Sequence, residues 1–438
     1  MKKRILVWSI WCTAVLAGPV TAQNAWAEIL TVSEAVACAL AENPAIREAD
    51  ARIRAADAAA RSARADLLPE ASLTYGYHGL KEKPIMKQGG MEIQTAHQNL
   101  YNWSVTVIQP LFSGFALLSR FNMATLDIAA RKLEKEQTVL DLIRNVKSGY
   151  YNMLLAKRML EVSDQEVKAL AAHKRDAEFF FREGLIRPND VLQAQVVLSN
   201  SIQQKEKAYA RLQKAKTLLN RLLNRPLDTD LDVVDVDASL KPMYGLEPET
   251  LCAMALKERP LMQLMDISME KLQHSLRIAK SGWYPTVSLV GQYEQSGDDP
   301  GATENDFAND YNAGISVQAQ WRFFQSGKTR AETDGARRQI NALRSGISQY
   351  QNQIREEVRN AILDCQTAHN NIVTARAALD QAKENWRITN LQYKQQVSTS
   401  TDVLDAMAFL TQADSNYSGA VCGYLDAIAG LDRAIGRK

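Results

Sequence analysis

The sequence predicts a mainly α-helical protein with a small transmembrane β part, whose strands are too few to close a barrel within one chain. Three observations carry that expectation. A helix-to-strand junction occurs twice, as ADLLPEASLTYGY at 65–77 and SGWYPTVSLVGQY at 281–293, so the chain is an internal tandem duplication. Each half holds a long proline-free stretch with helical spacing of apolar residues. The segments between the helices alternate apolar and polar residues and carry aromatics near their ends.

The repeat keeps an offset of 216 without a gap from Leu30/Leu246 to Tyr77/Tyr293, and 13 of those 48 positions are identical, Glu42/Glu258, Pro44/Pro260 and Ala63/Ala279 among them. Further on the offset is 212, pairing DVLQA at 190–194 with DVLDA at 402–406. The expected organisation is a signal peptide at 1–27, a first repeat at 28–240 and a second at 241–438.

Lys2, Lys3 and Arg4, the apolar run 5–17 and an Ala25-Trp26-Ala27 cleavage site read as a secretory signal. A cut after Ala22 is the alternative, and Cys12 lacks a lipobox. Removing residues 1–27 takes three of the 52 basic residues and none of the 50 acidic ones, leaving 49 against 50. A balanced chain without a basic stripe is not built for nucleic acid. After Ala27 no segment approaches the ~20 apolar residues of a spanning helix, so any membrane crossing must use strands.

Residues 30–66 read as helix, capped at Thr31 or Ser33 and broken near Pro44. From Ala71 the period becomes two, with Ala71, Leu73, Tyr75 and Tyr77 on one face and Ser72, Thr74 and Gly76 on the other. A polar loop at 78–100 leads to a second strand, where Tyr101, Trp103, Val105 and Val107 alternate with Asn102, Ser104 and Thr106. After Pro110 and a turn at 111–114 comes one helix to about residue 181; its ~68 residues span ~100 Å. A turn at 183–188 reverses the chain, Asn189 or Asp190 caps the next helix, and that helix runs to 223 with Val191, Leu198, Leu212 and Leu219 in a heptad-like seam. Residues 224–245 link the halves. The second half repeats the plan: helix 246–281, strand 286–294, strand 311–321, long helix 327–395, turn, helix 401–435. The two shorter helices of each half, at 31–66 and 189–223 in the first, are expected to stack end to end beside the long one.

Four strands of about ten residues cannot close, and lipid leaves no sheet edge unpaired, so several chains must share one barrel. The four cysteines after the signal (Cys38, Cys252, Cys365, Cys422) have no metal-like spacing and read as small apolar packing, with one disulfide as the alternative. Met262, Met265 and Met269 at i, i+3 and i+7 read as helix packing rather than copper handling. The five histidines (His78, His97, His173, His274, His369) are scattered, and neither a zinc nor a nucleophile motif is present, so neither an enzyme nor a cofactor is expected.

The opening LTVSEAVACALAENP at 30–44, the LLPEASL and WYPTVSL junctions, the PLFSG and FFQSG strand ends and the paired DVLQA and DVLDA helix starts together resemble the TolC family of outer-membrane channel-tunnel proteins over nearly the whole mature chain. The resemblance implies a homotrimeric channel-tunnel, with four strands per chain in a shared twelve-stranded barrel in outer-membrane lipid and a long α-helical barrel in the periplasm. It implies an exit duct for an inner-membrane pump, reached through a periplasmic adaptor, in drug or metal efflux or type I secretion. Asp402 and Asp405 would line the pore constriction, Tyr393 and Asp190 would hold the periplasmic gate by a hydrogen bond, and the helical turns at Gly184-Leu185 and Gln396-Val397 would contact the adaptor. An arginine of the family's gate falls at Ser398 here, and the second turn carries Gln396 where the first keeps Gly184, so Gln396 must take a conformation that favours glycine. Spacing alone gives Asp190 and Asp402 a second role as helix N-caps, and Asp405 suits the positive end of a helix. A periplasmic coiled-coil protein without channel activity is the rival reading of the residues.

Overall fold

The computed structural model describes residues 28–236 and 247–438; the expected signal peptide and the end of the linker between the halves lie outside the described residues. Short β1 (Glu28–Leu30) leads into α1 (Val32–Glu42) and α2 (Pro44–Ala65). Then come β2 (Glu70–Gly79), a small hairpin of β3 (Ile85–Gln88) and β4 (Met91–Gln94), and β5 (Asn99–Phe112). Helices α3 (Ala116–Arg182) and α4 (Pro188–Leu222) and short β6 (Leu231–Val233) complete the first half. The second half runs α5 (Pro248–Glu258), α6 (Pro260–Ser281), β7 (Thr286–Gly297), β8 (Tyr311–Gln320), α7 (Lys328–Lys394) and α8 (Ser400–Ala434). Helices of 11, 22, 67 and 35 residues follow one another in each half.

The sheet order is β2-β5-β7-β8, antiparallel throughout. Its register keeps the two faces coherent across all four strands. Leu73, Val105, Tyr293 and Ala313 form one row on the apolar face, and Ser72, Thr106, Gln292 and Gly314 form one row on the polar face. Strand β5 continues through Pro110, and the register shifts there, between Pro110 and Phe112, an irregularity that suits a residue without an N–H. The polar loop at 78–100 also differs from expectation, because Gly89 and Gly90, both at positive φ, turn β3 back on β4.

The helices follow the same order as the strands. Rods α2 and α4 flank α3, α6 and α8 lie between α3 and α7, and each strand adjoins a helix of the matching rod. The stacked partner of α3 is shorter than expected: α1 leaves the rod, so only the 22-residue α2 stacks on the 35-residue α4. Pro44 and Pro260 are the cause. A residue before proline avoids the helical region, and Asn43 and Arg259 both stand extended at ψ near 130°. The first joint is tied by Asn43, whose Oδ1 accepts from the Ala45 N–H at 2.9 Å while its Nδ2 donates to the Leu222 carbonyl at 2.8 Å. At the second joint Arg259 donates to Glu357 at 2.5 Å, and Glu357 also accepts from Arg433, which donates to Asp141 on α3 at 2.9 Å.

The displaced α1 packs on α3 beside a parallel pair of β1 and β6, so the linker forms structure that its lost helical period concealed. The fully buried Tyr150 anchors this layer, its hydroxyl donating to the Leu30 carbonyl at 2.9 Å and the Val234 carbonyl at 3.0 Å. Cys252, Cys365 and Cys422 are buried in apolar clusters, and all four cysteines of the described residues are free thiols.

Candidate functional site

The reversals α3–α4 and α7–α8 lie at the end of the rods away from the sheet. Both close the same way. Leu185 N–H donates to the Phe180 carbonyl and Val397 N–H to the Gln392 carbonyl, each at 2.9 Å and each spanning five residues back. Between them stand Gly184 at φ 73° and Gln396 at φ 60°. These are left-handed C-caps, and Gln396 bears its side chain there at some cost in strain. Leu185 and Val397 are 53% and 74% exposed, so each turn presents one apolar side chain at its tip.

Neither Asp190 nor Asp402 is the N-cap. Helix α4 starts at Pro188 with Arg187 as cap residue, because proline's fixed φ and missing N–H suit the first helical position. Asp190 sits three residues in, accepting from the Arg187 N–H at 3.3 Å. Helix α8 is capped by Thr399, whose hydroxyl accepts from the Asp402 N–H at 3.2 Å while the Asp402 carboxylate accepts from the Thr399 N–H at 2.8 Å and hydroxyl at 2.7 Å. Those bonds hold the Asp402 carboxyl below its ordinary value, so its charge persists into mild acid and is lost only as pH falls further. Asp402 and Asp405 share the exposed side of α8, whereas Val403, Leu404, Ala406 and Met407 are buried on the other. Leu404 and Met407 pack with Leu170 of α3 and Trp386 of α7.

The hydrogen bond expected between Tyr393 and Asp190 is not made within the chain. Tyr393 is 3% exposed and its hydroxyl has no hydrogen-bond partner. Its ring packs against His173 at 4.8 Å and edge-on to Phe180 at 5.5 Å. Burial pushes the phenol above its ordinary value, reinforced by the field of Asp190. Ser398 stays in its own turn, donating to the Thr389 carbonyl at 3.1 Å. A buried polar contact between the helix pairs is made by His173, 4% exposed, whose Nε2 lies 2.8 Å from the Ser400 hydroxyl. A sequence signal for His173 exists: Leu170, His173 and Ala177 share one helical stripe, and all three are buried. A histidine on an apolar stripe needs a partner, and neither its scatter nor its motif context pointed to one.

No helix among the described residues is long and apolar enough to cross a membrane, and no group of three or more His, Cys, Asp or Glu side chains among them is placed to hold a metal ion. A small sheet with an exposed apolar face, running strand by strand into 67-residue helices, is the build of a membrane channel protein. The chain belongs to the outer membrane efflux protein family, whose model matches residues 36–225 and 251–437. It is 24% identical over 426 residues to the outer membrane protein TolC of Vibrio cholerae, covering 94% of this chain and 91% of that one. Its fold is similar to the CmeC outer membrane channel of Campylobacter jejuni, with a TM-score of 0.80 at 15% identity over 92% of this chain and 85% of the other. The outer-membrane channel OprN gives a TM-score of 0.79 at 18% identity, over 93% and 90% of the two chains. The protein is an outer-membrane efflux duct, with its helices in the periplasm, and not an enzyme.

Proposed function

We propose that three copies of this chain close into a twelve-stranded barrel and a helical tunnel of twelve rods, serving as the exit duct of a tripartite efflux pump or a type I secretion system. One observation carries the reading: strands and helices run in the same lateral order and leave the same two sides unpaired. Strand β2 and the α2/α4 rod form one open side, and β8 and α7 form the other. Successive strands alternate in direction, so β8 of one copy meets β2 of the next antiparallel and the pattern continues around a ring. The open rods carry exposed apolar side chains for that contact, Leu192, Val196 and Tyr209 on α4 and Leu363, Val373 and Leu391 on α7. The membrane-facing side of the sheet is equally apolar, with Leu73, Ile315 and Val317 exposed.

In this assembly the duct is passive. Pump and adaptor supply the energy, the exposed Leu185 and Val397 at the turns meet the adaptor, and Asp402 and Asp405 ring the periplasmic mouth. Tyr393 and Asp190 belong to the gate that holds that mouth narrow. Six carboxylates in a narrow ring attract cations and repel anions. In planar bilayers the wild-type protein should therefore be cation-selective, and Asp402→Ala combined with Asp405→Ala should reduce that preference and weaken block by multivalent cations. Unchanged selectivity removes these residues from the pore.

A further inference from the structure

We propose that the buried His173–Ser400 pair is a proton-sensitive latch that holds the periplasmic mouth closed. The inference rests on the duct reading above and assigns a positioning residue that the reading lacks. Geometry carries it. His173 projects from α3, in the first helix pair, and Ser400 opens α8, in the second; the two lie 2.8 Å apart and are both buried. Tyr393 of α7 packs on the imidazole at 4.8 Å, and Phe180, two turns along α3 from His173, meets the same phenol ring edge-on at 5.5 Å. The cluster therefore joins three helices within one turn of Asp402. Moving the α7–α8 pair away from α3 must break it.

The latch works with a neutral imidazole. Nε2 is matched by the Ser400 hydroxyl, and Nδ1 is buried with no partner. Protonation makes both nitrogens donors, which puts a charge and an unanswered N–H where water does not reach. Asp176 on α3 is the carboxylate whose field reaches the imidazole, Asp190 on α4 acts on Tyr393, and α7 and α8 present the neutral Tyr393 and Ser400. Burial outweighs Asp176 and pushes the histidine below its ordinary value.

The sign follows from that direction. An opened, hydrated His173 takes a proton near the ordinary value of ~6.5, whereas the closed site takes it only at lower pH. Between the two values the open state binds more protons, so closure is favoured at neutral pH and lost progressively as pH falls below ~6.5. Each unit by which closing lowers the value makes closure about tenfold less favourable per copy in acid. Three copies respond together.

Planar-bilayer recordings of the full-length protein, taken from neutral pH to about pH 5 so as to span the ordinary imidazole range, test this. Wild-type conductance should rise steeply as pH falls. His173→Gln keeps a nitrogen donor but cannot titrate, so its profile should be flat, while His369→Gln, away from the cluster, should keep the wild-type response. Ser400→Ala and His173→Ala should each raise conductance at neutral pH, and the double variant should add little to either, because both remove one contact. Assembled yield, measured alongside, separates a loosened latch from a misfolded chain. A wild-type profile in His173→Gln, or full additivity of the two alanine changes, overturns the latch and leaves the duct standing. If the wild-type protein forms no cation-selective channels at all, the duct reading fails and the latch with it.

Discussion

Placing an arginine at Ile315 tests which side of the sheet meets lipid. Ile315 is the fifth of the ten residues of β8 and is 81% exposed in the single chain. It lies on the face that carries Leu73, Val105 and Tyr293, opposite Ser316 and Gln318. A ten-residue strand is about 34 Å long and, at the ~45° tilt of outer-membrane barrels, covers ~24 Å of height, close to the ~25 Å apolar band. Ile315 therefore sits near the midplane. An arginine there costs about 2–4 kcal/mol per chain, or about 6–12 kcal/mol in the assembly of three, comparable with the ~5–15 kcal/mol stability of a whole domain. Ile315→Arg should sharply reduce the amount recovered in the outer-membrane fraction and lower the temperature at which the assembled form dissociates in detergent. Ser316→Arg, one residue on and facing the lumen, should change either measure little. Equal effects from the two arginines refute the assignment of faces, and normal insertion of Ile315→Arg refutes the lipid contact.

Three further expectations follow from single residues. Tyr150→Phe removes the donor to two carbonyls and should lower the unfolding free energy by about 1–2 kcal/mol, seen as a lower denaturation temperature without loss of channel conductance. Tyr393→Phe removes a buried hydroxyl that has no partner, so it should leave the closed conductance unchanged or lower. Tyr393→Ala, which empties the space between His173 and Phe180, should raise it. If the phenylalanine variant leaks as much as the alanine one, the hydroxyl rather than the ring holds the gate.

Much of this fold was legible because the signals are periodic and occur twice. The proline-free runs fixed the two long helices to within a few residues, and the strict alternation of β8 set its two faces. What escaped were contacts between segments far apart in sequence. The pairing of β1 with β6 joins residues some two hundred positions apart, and three-residue strands show no usable period. Pro44 announced a break but not that the 11-residue α1 would leave the rod, since that depends on the surface of α3 that receives it. Asp190 and Asp402 are good capping residues by type, yet α4 and α8 start earlier, at Pro188 and Ser400, behind the cap residues Arg187 and Thr399. At the gate, the resemblance offers Asp402 and Asp405 as pore-lining residues and Tyr393 with Asp190 as a bonded pair. It gave no account of His173, whose partner Ser400 lies 227 residues away.

The central claim is that one chain supplies a third of a closed wall, and the native mass of the detergent-solubilised outer-membrane protein tests it most directly. Two open sides that match in both layers, and four strands where a barrel needs at least about eight, rule out a single closed chain, and the twelve-stranded ring proposed above predicts a particle of three. A folded, membrane-inserted particle of a single chain contradicts the account.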